Sequence, residues 1–247
     1  MNILIRMAFL GTGYHGFQVQ APGRPTICGT FQDALQAVLG TRPDVKGCSR
    51  TDAGVHARAY CLNFHYDGAI PPEKLPLALN QNLPGDIRVH SATEVPPTFH
   101  ARYSAVEKEY TYELLNAAID DPFTRGQYHR ITRPLDENRM QAAAALLRGT
   151  HDFATFMNTG SPVNDTRRTL THLSVARRGQ RVVITAAADG FLYNMVRILA
   201  GTLADVGSGK TPPKAVVDIL AARNRQNAGP TLPACGLFLH RVVYPGL

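Results

Sequence analysis

The first hundred residues alternate between strand-like and helix-like patterns of hydrophobic positions. From Ile3 to Leu10, apolar residues occupy every second position, which is the period of a half-buried strand. The elements predicted next are a helix from a Thr30–Asp33 cap to Gly40, a strand over 59–66, a helix over 73–83 and a strand over 87–92. This order of short strands and helices predicts an α+β unit.

The second half of the chain shows a similar mixture. Its clearest strand is Val106–Leu115, with Tyr110 and Tyr112 on one face and a glutamate-rich face that we expect to be solvated. The other predicted elements are a helix over 136–148, strands over 173–176 and 182–188, helices over 191–206 and 213–222, and a strand over 236–244. Because strand, helix and strand recur in the same order, we hypothesise two pseudo-repeated α+β halves.

The segment 47–58 is the strongest candidate for a functional loop. Four side chains that can carry charge fall within nine residues of it, namely Arg50, Asp52, His56 and Arg58. Small residues separate them, and glycine at both 47 and 54 permits backbone conformations that bulky residues resist. A carboxylate between two arginines at the mouth of a predicted strand indicates a site centred on Asp52.

A second glycine-rich segment, Gly11–Gly16, matches the spacing G-x-G-x-x-G. A dinucleotide site with this spacing needs a helix that begins at the glycines and points its N–H groups at a pyrophosphate. Pro22, Gly23 and Pro25 follow instead, and they prevent a long helix from starting there. We therefore predict a strand, a glycine turn and an extended loop, and not a dinucleotide site.

Arg197 is distinctive within the predicted helix 191–206. It lies opposite the apolar stripe, and its neighbours at helical spacing include Tyr193, Asn194 and Ala200 but no carboxylate. If that side of the helix is packed, the guanidinium needs a carboxylate from elsewhere in the chain, and Asp52 is the candidate. The alternative is an exposed arginine on a surface helix.

Composition narrows the possible partners and compartments. The 247 residues include 26 Lys and Arg against 19 Asp and Glu, a net charge of +7 that favours a polyanion such as nucleic acid. The four cysteines are scattered without C-x-x-C spacing, which fits a reducing compartment. No apolar run approaches the roughly 20 residues of a membrane helix. The N-terminal run predicts a strand rather than a secretory leader, so we expect a soluble, cytoplasmic protein without a membrane partner.

Conventional catalytic motifs are not found around Asp52. No second pair of ligands accompanies Asp52 and His56, so we predict no metal site. Ser49, His56 and Asp52 are neighbours in sequence, which rarely have the geometry of a catalytic triad, and neither a nucleophile elbow nor a Walker loop is present. A single carboxylate among arginines, in a basic chain with aromatic residues, is what remains.

These residues resemble a known family. The segment Ser49–Ala57 is similar to the Arg-Thr-Asp-Ala-Gly-Val-His motif of the tRNA pseudouridine synthase A family. Further matches, in chain order, are Gly11–Gln18, Ala101–Arg102, Lys108–Tyr112, His151–Phe153, Phe191–Gly201, Gly229–Thr231 and Gly236–Leu237. The chain departs from the pattern at Phe17, where tryptophan is common, at Cys48, where a small residue is usual, and at the less typical Arg58.

The resemblance implies an isomerase that converts uridine to pseudouridine at positions 38–40, in the anticodon stem-loop of tRNA, without cofactor or metal. It assigns Asp52 as the catalytic carboxylate, acting as a nucleophile on the sugar or as the base that begins elimination to a glycal. It also points to Arg197 as the partner that keeps Asp52 ionised, and to Tyr110 rather than Tyr112 as the ring that stacks on the flipped uracil. Arg50, His56 and Arg58 either contact phosphates or orient the loop.

The resemblance further implies a homodimer in which each chain has two α+β halves around a basic central cleft, each half a mostly antiparallel sheet with helices packed on it. We place the boundary near residue 102, so that residues 1–102 carry Asp52 and residues 103–247 carry Tyr110 and Arg197. The main rival is a non-catalytic RNA-binding protein of the same fold. A nucleotide-dependent oxidoreductase that uses the glycine turn is a more distant alternative.

Overall fold

The computed structural model describes residues 1–20, 23–160, 163 and 165–247, so Pro22, which was used above to exclude a helix, lies outside the described residues. The chain forms two compact units. The first contains Met1–Val106 together with Phe238–Leu247, and the second contains Glu107–Leu237. The boundary near residue 102 stays a prediction, and each unit is described below by itself.

Both units contain strands and helices. In chain order the strands are β1 (Asn2–Phe9), β2 (Lys46–Gly47), β3 (His56–His65), β4 (Ile87–Val95), β5 (Glu107–Leu115), β6 (His129–Arg130), β7 (Gly149–Asp152), β8 (Arg167–Arg178), β9 (Arg181–Ala188) and β10 (Leu237–Val243). The helices are α1 (Ile27–Leu39), α2 (Leu75–Asn82), α3 (Glu137–Leu146), α4 (Met195–Gly207) and α5 (Ala215–Ala221). The predicted α+β class is confirmed.

The sheet of the first unit has the order β4-β1-β3-β10. β1 lies between β3 and β4 and is antiparallel to both, while β10 is parallel to β3, with Phe238 opposite His56. Ile3, Ile5 and Met7 of β1 have no exposed surface. This central strand therefore anchors a core on which β3 and the loop before it are mounted.

Helix α1 begins earlier than the sequence pattern predicts. We expected a cap at Thr30, but Thr26 is the N-cap, and its side chain accepts a hydrogen bond from the Gly29 N–H at 3.2 Å. The Thr30 N–H donates to the Thr26 carbonyl at 3.0 Å and so already belongs to the helix. The predicted end is confirmed, since Gly40 terminates the helix with φ of 73°.

Thr26→Ala is expected to lower the free energy of unfolding by about 1 kcal/mol, because the first turn of α1 loses its side-chain acceptor. Thr30→Ala is the matched control, and we expect it to be neutral because alanine is the better helix former at an interior position. Urea unfolding of both variants measures the difference. A larger loss in Thr30→Ala would contradict the assigned cap.

The sheet of the second unit has the order β5-β9-β8-β7, and these neighbours are antiparallel. The short strand β6 pairs with β5 in parallel. The predicted strands at 173–176 and 182–188 are confirmed as parts of the longer β8 and β9. The face of β5 that we expected to be solvated is partly covered, since Thr111 is buried and Glu113 lies 3.9 Å from the Arg181 guanidinium.

Both units are thus mostly antiparallel sheets with helices, as predicted, and the recurrence of that architecture is consistent with a pseudo-repeat. Among the described residues, no helix is both long enough and apolar enough to cross a bilayer.

Candidate active site

Asp52 lies in a tight turn of the first unit, between β2 and β3. The Val55 N–H donates to the Asp52 carbonyl at 3.2 Å, which closes the turn around Ala53 and Gly54. Gly54 has φ of 79°, a conformation that side chains resist and glycine adopts freely. Asp52 is half-buried and Arg50 is exposed. The backbone therefore fixes where the carboxylate is presented.

The glycine-rich segment 11–16 packs against the backbone of this turn. The Phe17 N–H donates to the Thr51 carbonyl at 3.1 Å, and the Gly54 N–H donates to the Tyr14 carbonyl at 3.3 Å. A Cβ at Gly11 would lie 2.0 Å from the Val55 oxygen, and one at Gly16 would lie 2.6 Å from the Thr51 oxygen. Glycine is required at both positions because only it allows this approach of the two backbones.

As predicted, no long helix starts at these glycines within the described residues 11–20. Gly11–Gly13 form one 3-10 turn, and α1 begins only at Ile27. The G-x-G-x-x-G spacing therefore serves the Asp52 turn as a packing surface. The sequence shows the glycines but not the backbone segment against which they pack.

His56 locks the glycine segment to the start of β3. Its ring has no exposed surface, its Nδ1 accepts the Gly11 N–H at 3.0 Å, and it stacks on Phe238 with centroids 4.6 Å apart. A nitrogen that accepts a hydrogen bond carries no proton, so Nδ1 is the unprotonated one. The predicted strand begins three residues earlier than expected, which places His56 in the sheet. Of its two predicted roles, this geometry favours orienting the loop.

Arg58 follows on the same strand and is exposed. Its guanidinium carbon lies 4.6 Å from the centroid of the Phe238 ring, within the range of a cation–π contact. The Asp52 turn and the start of β3 thus carry all four of the predicted residues, Arg50, Asp52, His56 and Arg58. Of these four side chains, only the two arginines are classed as exposed, whereas Asp52 is half-buried and His56 is buried.

A stacked pair of aromatic rings, Phe17 and Tyr60, contacts the loop that carries Asp52. Phe17 stacks on Tyr60 with centroids 4.5 Å apart, and the Tyr60 hydroxyl donates to the Ser49 carbonyl. A Cβ at Gly47 would lie 2.3 Å from that hydroxyl oxygen, so glycine is needed where the loop leaves β2. The sequence predicts a strand over 59–66, but it does not reveal the contact between Tyr60 and Ser49.

In the second unit, Tyr110 lies on β5 and is 6% exposed. Its ring meets Phe191 edge-on, with centroids 5.1 Å apart. Tyr112 is fully buried, its hydroxyl donates to the Pro233 carbonyl at 2.7 Å, and burial raises the pKa of that hydroxyl above its ordinary value. Tyr112 therefore belongs to the core, whereas Tyr110 keeps a small exposed area.

Arg197 lies in the first turn of α4. This helix begins at Met195, not at Phe191 as expected, because Asn194 has φ of 62° and so cannot continue a helix backwards. The guanidinium donates from Nε to the Leu232 carbonyl at 2.6 Å and from Nη1 to the Asn194 Oδ1 at 2.7 Å. Two neutral acceptors thus fix the direction of the charged group.

The segment that supplies the Leu232 carbonyl is held against α4 by glycines. A Cβ at Gly201 would lie 1.9 Å from the Pro230 oxygen, and the Gly229 N–H donates to the Thr202 Oγ1 at 2.9 Å. Helical spacing placed Asn194 beside Arg197, but Leu232 could not be found in this way because it lies on a separate loop.

Asp52 belongs to the first unit, and Tyr110 and Arg197 belong to the second. The pairing of Asp52 with Arg197 therefore stays a prediction. Within the ranges that the structure describes, no three His, Cys, Asp or Glu side chains form a group that could hold a metal ion.

Comparisons with known proteins match this chain along nearly its whole length. A family model described as tRNA pseudouridine synthase matches residues 5–104 and 143–245. A protein named tRNA pseudouridine synthase A from Moorella thermoacetica is 45% identical over 241 residues, which cover 97% of this chain and 98% of that protein. A protein of the same name from Thermoanaerobacter sp. strain X514 is 43% identical, over 98% of this chain and 99% of its own length. Another, from Halalkalibacterium halodurans, is 42% identical, over 97% of this chain and 91% of its own length. The resemblance inferred from the motifs is confirmed, and the chain belongs to the tRNA pseudouridine synthase family.

Proposed function

We propose that this chain isomerises uridine to pseudouridine in tRNA, with Asp52 as the catalytic carboxylate. Membership of the tRNA pseudouridine synthase family supports the reaction and favours an enzyme over a non-catalytic RNA-binding protein. The observation that carries the assignment of Asp52 is the turn itself. A half-buried carboxylate sits on a backbone that Gly11, Gly16 and Gly54 hold in one conformation.

The reaction needs no co-reactant. The bond from C1′ to N1 breaks, the uracil turns and C5 bonds to C1′. The proton that C5 carried is released and N1 takes up a proton, so that the product is an isomer of the substrate. Asp52 acts either by attacking C1′ or by removing a proton from the sugar to begin elimination to a glycal. Both routes need an ionised carboxylate that is placed accurately beside the ribose, which the rigid turn provides.

Residues of the second unit complete the proposed site. Arg197 pairs with Asp52 and favours its ionised form. The contacts from Arg197 to Leu232 and Asn194 support this role, because they hold the guanidinium in one direction before substrate arrives. Tyr110 stacks on the uracil once it has left the helical stack, an interaction worth roughly 1–3 kcal/mol per base.

The arginines beside Asp52 are proposed to bind phosphates. Arg50 and Arg58 are both exposed, whereas His56 is buried, so we assign phosphate contacts to the arginines and loop orientation to His56. By the family resemblance we further propose that the target uridines lie at positions 38–40 of the anticodon stem-loop, and that two copies of the chain act as a cytoplasmic homodimer.

The test is release of tritium from tRNA transcripts that contain uridine labelled at C5. The purified chain is expected to release tritium without any added cofactor or metal. A transcript that carries the label only at uridines outside positions 38–40 should release no tritium. Binding of the transcript without any release would favour the non-catalytic alternative and would overturn the proposal.

A further inference from the structure

An exposed aromatic residue lies on a hydrogen-bonded turn of the first unit, outside the segment 47–58. Tyr103 is 76% exposed and follows β4 in the segment that leads towards β5. The His100 ring supports it with centroids 4.4 Å apart, and the Arg102 guanidinium carbon lies 5.6 Å from its ring centroid. Much of the Tyr103 ring therefore stays open to another planar group.

Two buried asparagines hold this turn in place. Asn2 and Asn63 are each 2% exposed. Asn2 donates to the Phe99 carbonyl at 3.0 Å, and the Asn63 Oδ1 accepts the Ala101 N–H at 2.8 Å. The Tyr103 N–H in turn donates to the His100 carbonyl at 3.0 Å. A ring on a turn that is already ordered loses little conformational entropy when it binds a partner.

The surroundings of Tyr103 are cationic. Among the described residues, the Arg102 guanidinium has no hydrogen-bond or ion-pair partner, so its charge is available to a ligand. Burial lowers the pKa of the His100 imidazole, and the charges of Lys46 and Arg102 act in the same direction. Its Nδ1 accepts the Arg102 N–H at 3.1 Å.

A cavity adjoins the turn on the side of His100. Its volume is about 360 Å³, and its lining includes Lys46, His65, Phe99 and His100. This size is at the lower end of the range for small-molecule sites, roughly 300–1,000 Å³. Lys46 is paired with Asp44 at the rim, which leaves Arg102 as the stronger attraction for an anion. None of the lining residues belongs to the segment 48–58.

We propose that Tyr103, His100 and Arg102 form a second RNA-binding site, which holds one unpaired nucleotide of the substrate by stacking its base on Tyr103 with its phosphate against Arg102. The neighbouring nucleotide lies towards the cavity. An exposed aromatic ring beside a guanidinium that has no ion pair among the described residues fits a nucleotide, because the ring suits any base and the cation suits the phosphate. This inference rests on the proposed function, since it takes the substrate to be RNA.

The chain contains no tryptophan, so Tyr103→Trp introduces a single fluorescent reporter that keeps an aromatic ring at the site. We expect its fluorescence to be quenched when tRNA is added and to be unchanged by a fully paired RNA duplex, which offers no unstacked base. Phe123→Trp is the matched control, because Phe123 is 94% exposed and lies in the other unit. Equal quenching of both reporters would overturn the proposal.

Tyr103→Ala is expected to raise the dissociation constant for tRNA by about 5- to 150-fold, the loss of one stacked base. Tyr103→Phe should stay within about twofold of the unsubstituted chain, and Phe123→Ala should be neutral. Arg102→Gln should reduce the slope of log affinity against log salt by about one. Melting temperatures should not move, since Tyr103 is mostly exposed.

Two results would overturn this site while the proposed function stands. One is tRNA affinity unchanged by Tyr103→Ala in a protein that still releases tritium. The other is a change in sedimentation without a change in affinity, which would assign the surface to contact between copies of the chain. Absence of tritium release from the unsubstituted protein would instead count against the proposed function.

Discussion

Asp52→Asn is expected to lower the rate of tritium release from C5-labelled tRNA by at least about 10⁴-fold, as loss of a group that reacts directly with substrate does in other enzymes. Asparagine has nearly the shape of aspartate, so the turn closed by Val55 and Gly54 should be kept. It has no negative charge, and it can neither attack C1′ nor accept a proton from the sugar. Affinity for tRNA should change by no more than a few-fold.

The measurement is single-turnover release with enzyme in excess over tRNA, together with a direct binding titration. Asp67→Asn is the matched control, because the Asp67 side chain is 99% exposed and lies in the same unit. It should leave both rate and affinity unchanged. Turnover of Asp52→Asn within tenfold of the unsubstituted chain would remove Asp52 from the mechanism, and Asp52→Ala would exclude rescue by deamidation.

The loop that carries Asp52 could be predicted from the sequence because its signal is local. Asp52 stands between arginines, with Gly54 marking the turn, and all of these lie within a few residues. The strand that follows was also predicted, although it begins at His56 and not at Ala59. Local composition identifies a loop well and locates its edges less well, because strand ends depend on pairing with other strands.

The contacts that hold the site in place could not be predicted, because they join residues far apart in sequence. Gly11 contacts Val55 and His56 because β1 and β3 pair with each other in the folded chain. The same holds for Arg197, whose partner Leu232 comes from a loop that packs on α4. A sequence shows where glycine stands, but it does not show which atom a Cβ at that position would clash with.

The cap of α1 shows a different kind of error. Thr26 and Thr30 are both chemically able to cap a helix, and Asp33 made Thr30 the better match to a capping box. The structure selects Thr26, since the helix can begin as soon as Pro25 is passed. Pattern rules rank candidate caps, and tertiary packing of Ile27 in the core decides between them.

The second large effect is expected from a substitution that adds a single carbon atom. Gly11→Ala would place its Cβ 2.0 Å from the Val55 oxygen and 2.7 Å from the Val55 carbon. The clashing atoms of Val55 belong to its backbone, so no side-chain rotation can relieve the clash. Val55 must therefore move by more than about 1 Å to reach an ordinary contact distance. Because Val55 closes the Asp52 turn, the carboxylate moves with it.

A displacement of about 1 Å of a reacting group costs roughly 10²-fold in rate. We therefore expect Gly11→Ala to lower single-turnover tritium release by about that factor, with tRNA affinity changed only slightly, since the exposed arginines remain. Overpacking should also lower the free energy of unfolding by about 1–3 kcal/mol. The rate is measured well below the melting temperature, so that it reports the folded protein.

Gly13→Ala is the control that separates geometry from composition. It lies in the same glycine segment, but a Cβ there would meet no atom within 4 Å, so rate and stability should stay close to those of the unsubstituted chain.

His56→Phe removes the acceptor of the Gly11 N–H without adding an atom at Val55, and it should slow release less than Gly11→Ala does. If Gly11→Ala folds and turns over normally, or if Gly13→Ala is equally slow, the glycine segment does not position Asp52. A slow Gly11→Ala beside a normal Gly13→Ala would instead show that a motif spaced like a dinucleotide turn serves here to place a carboxylate.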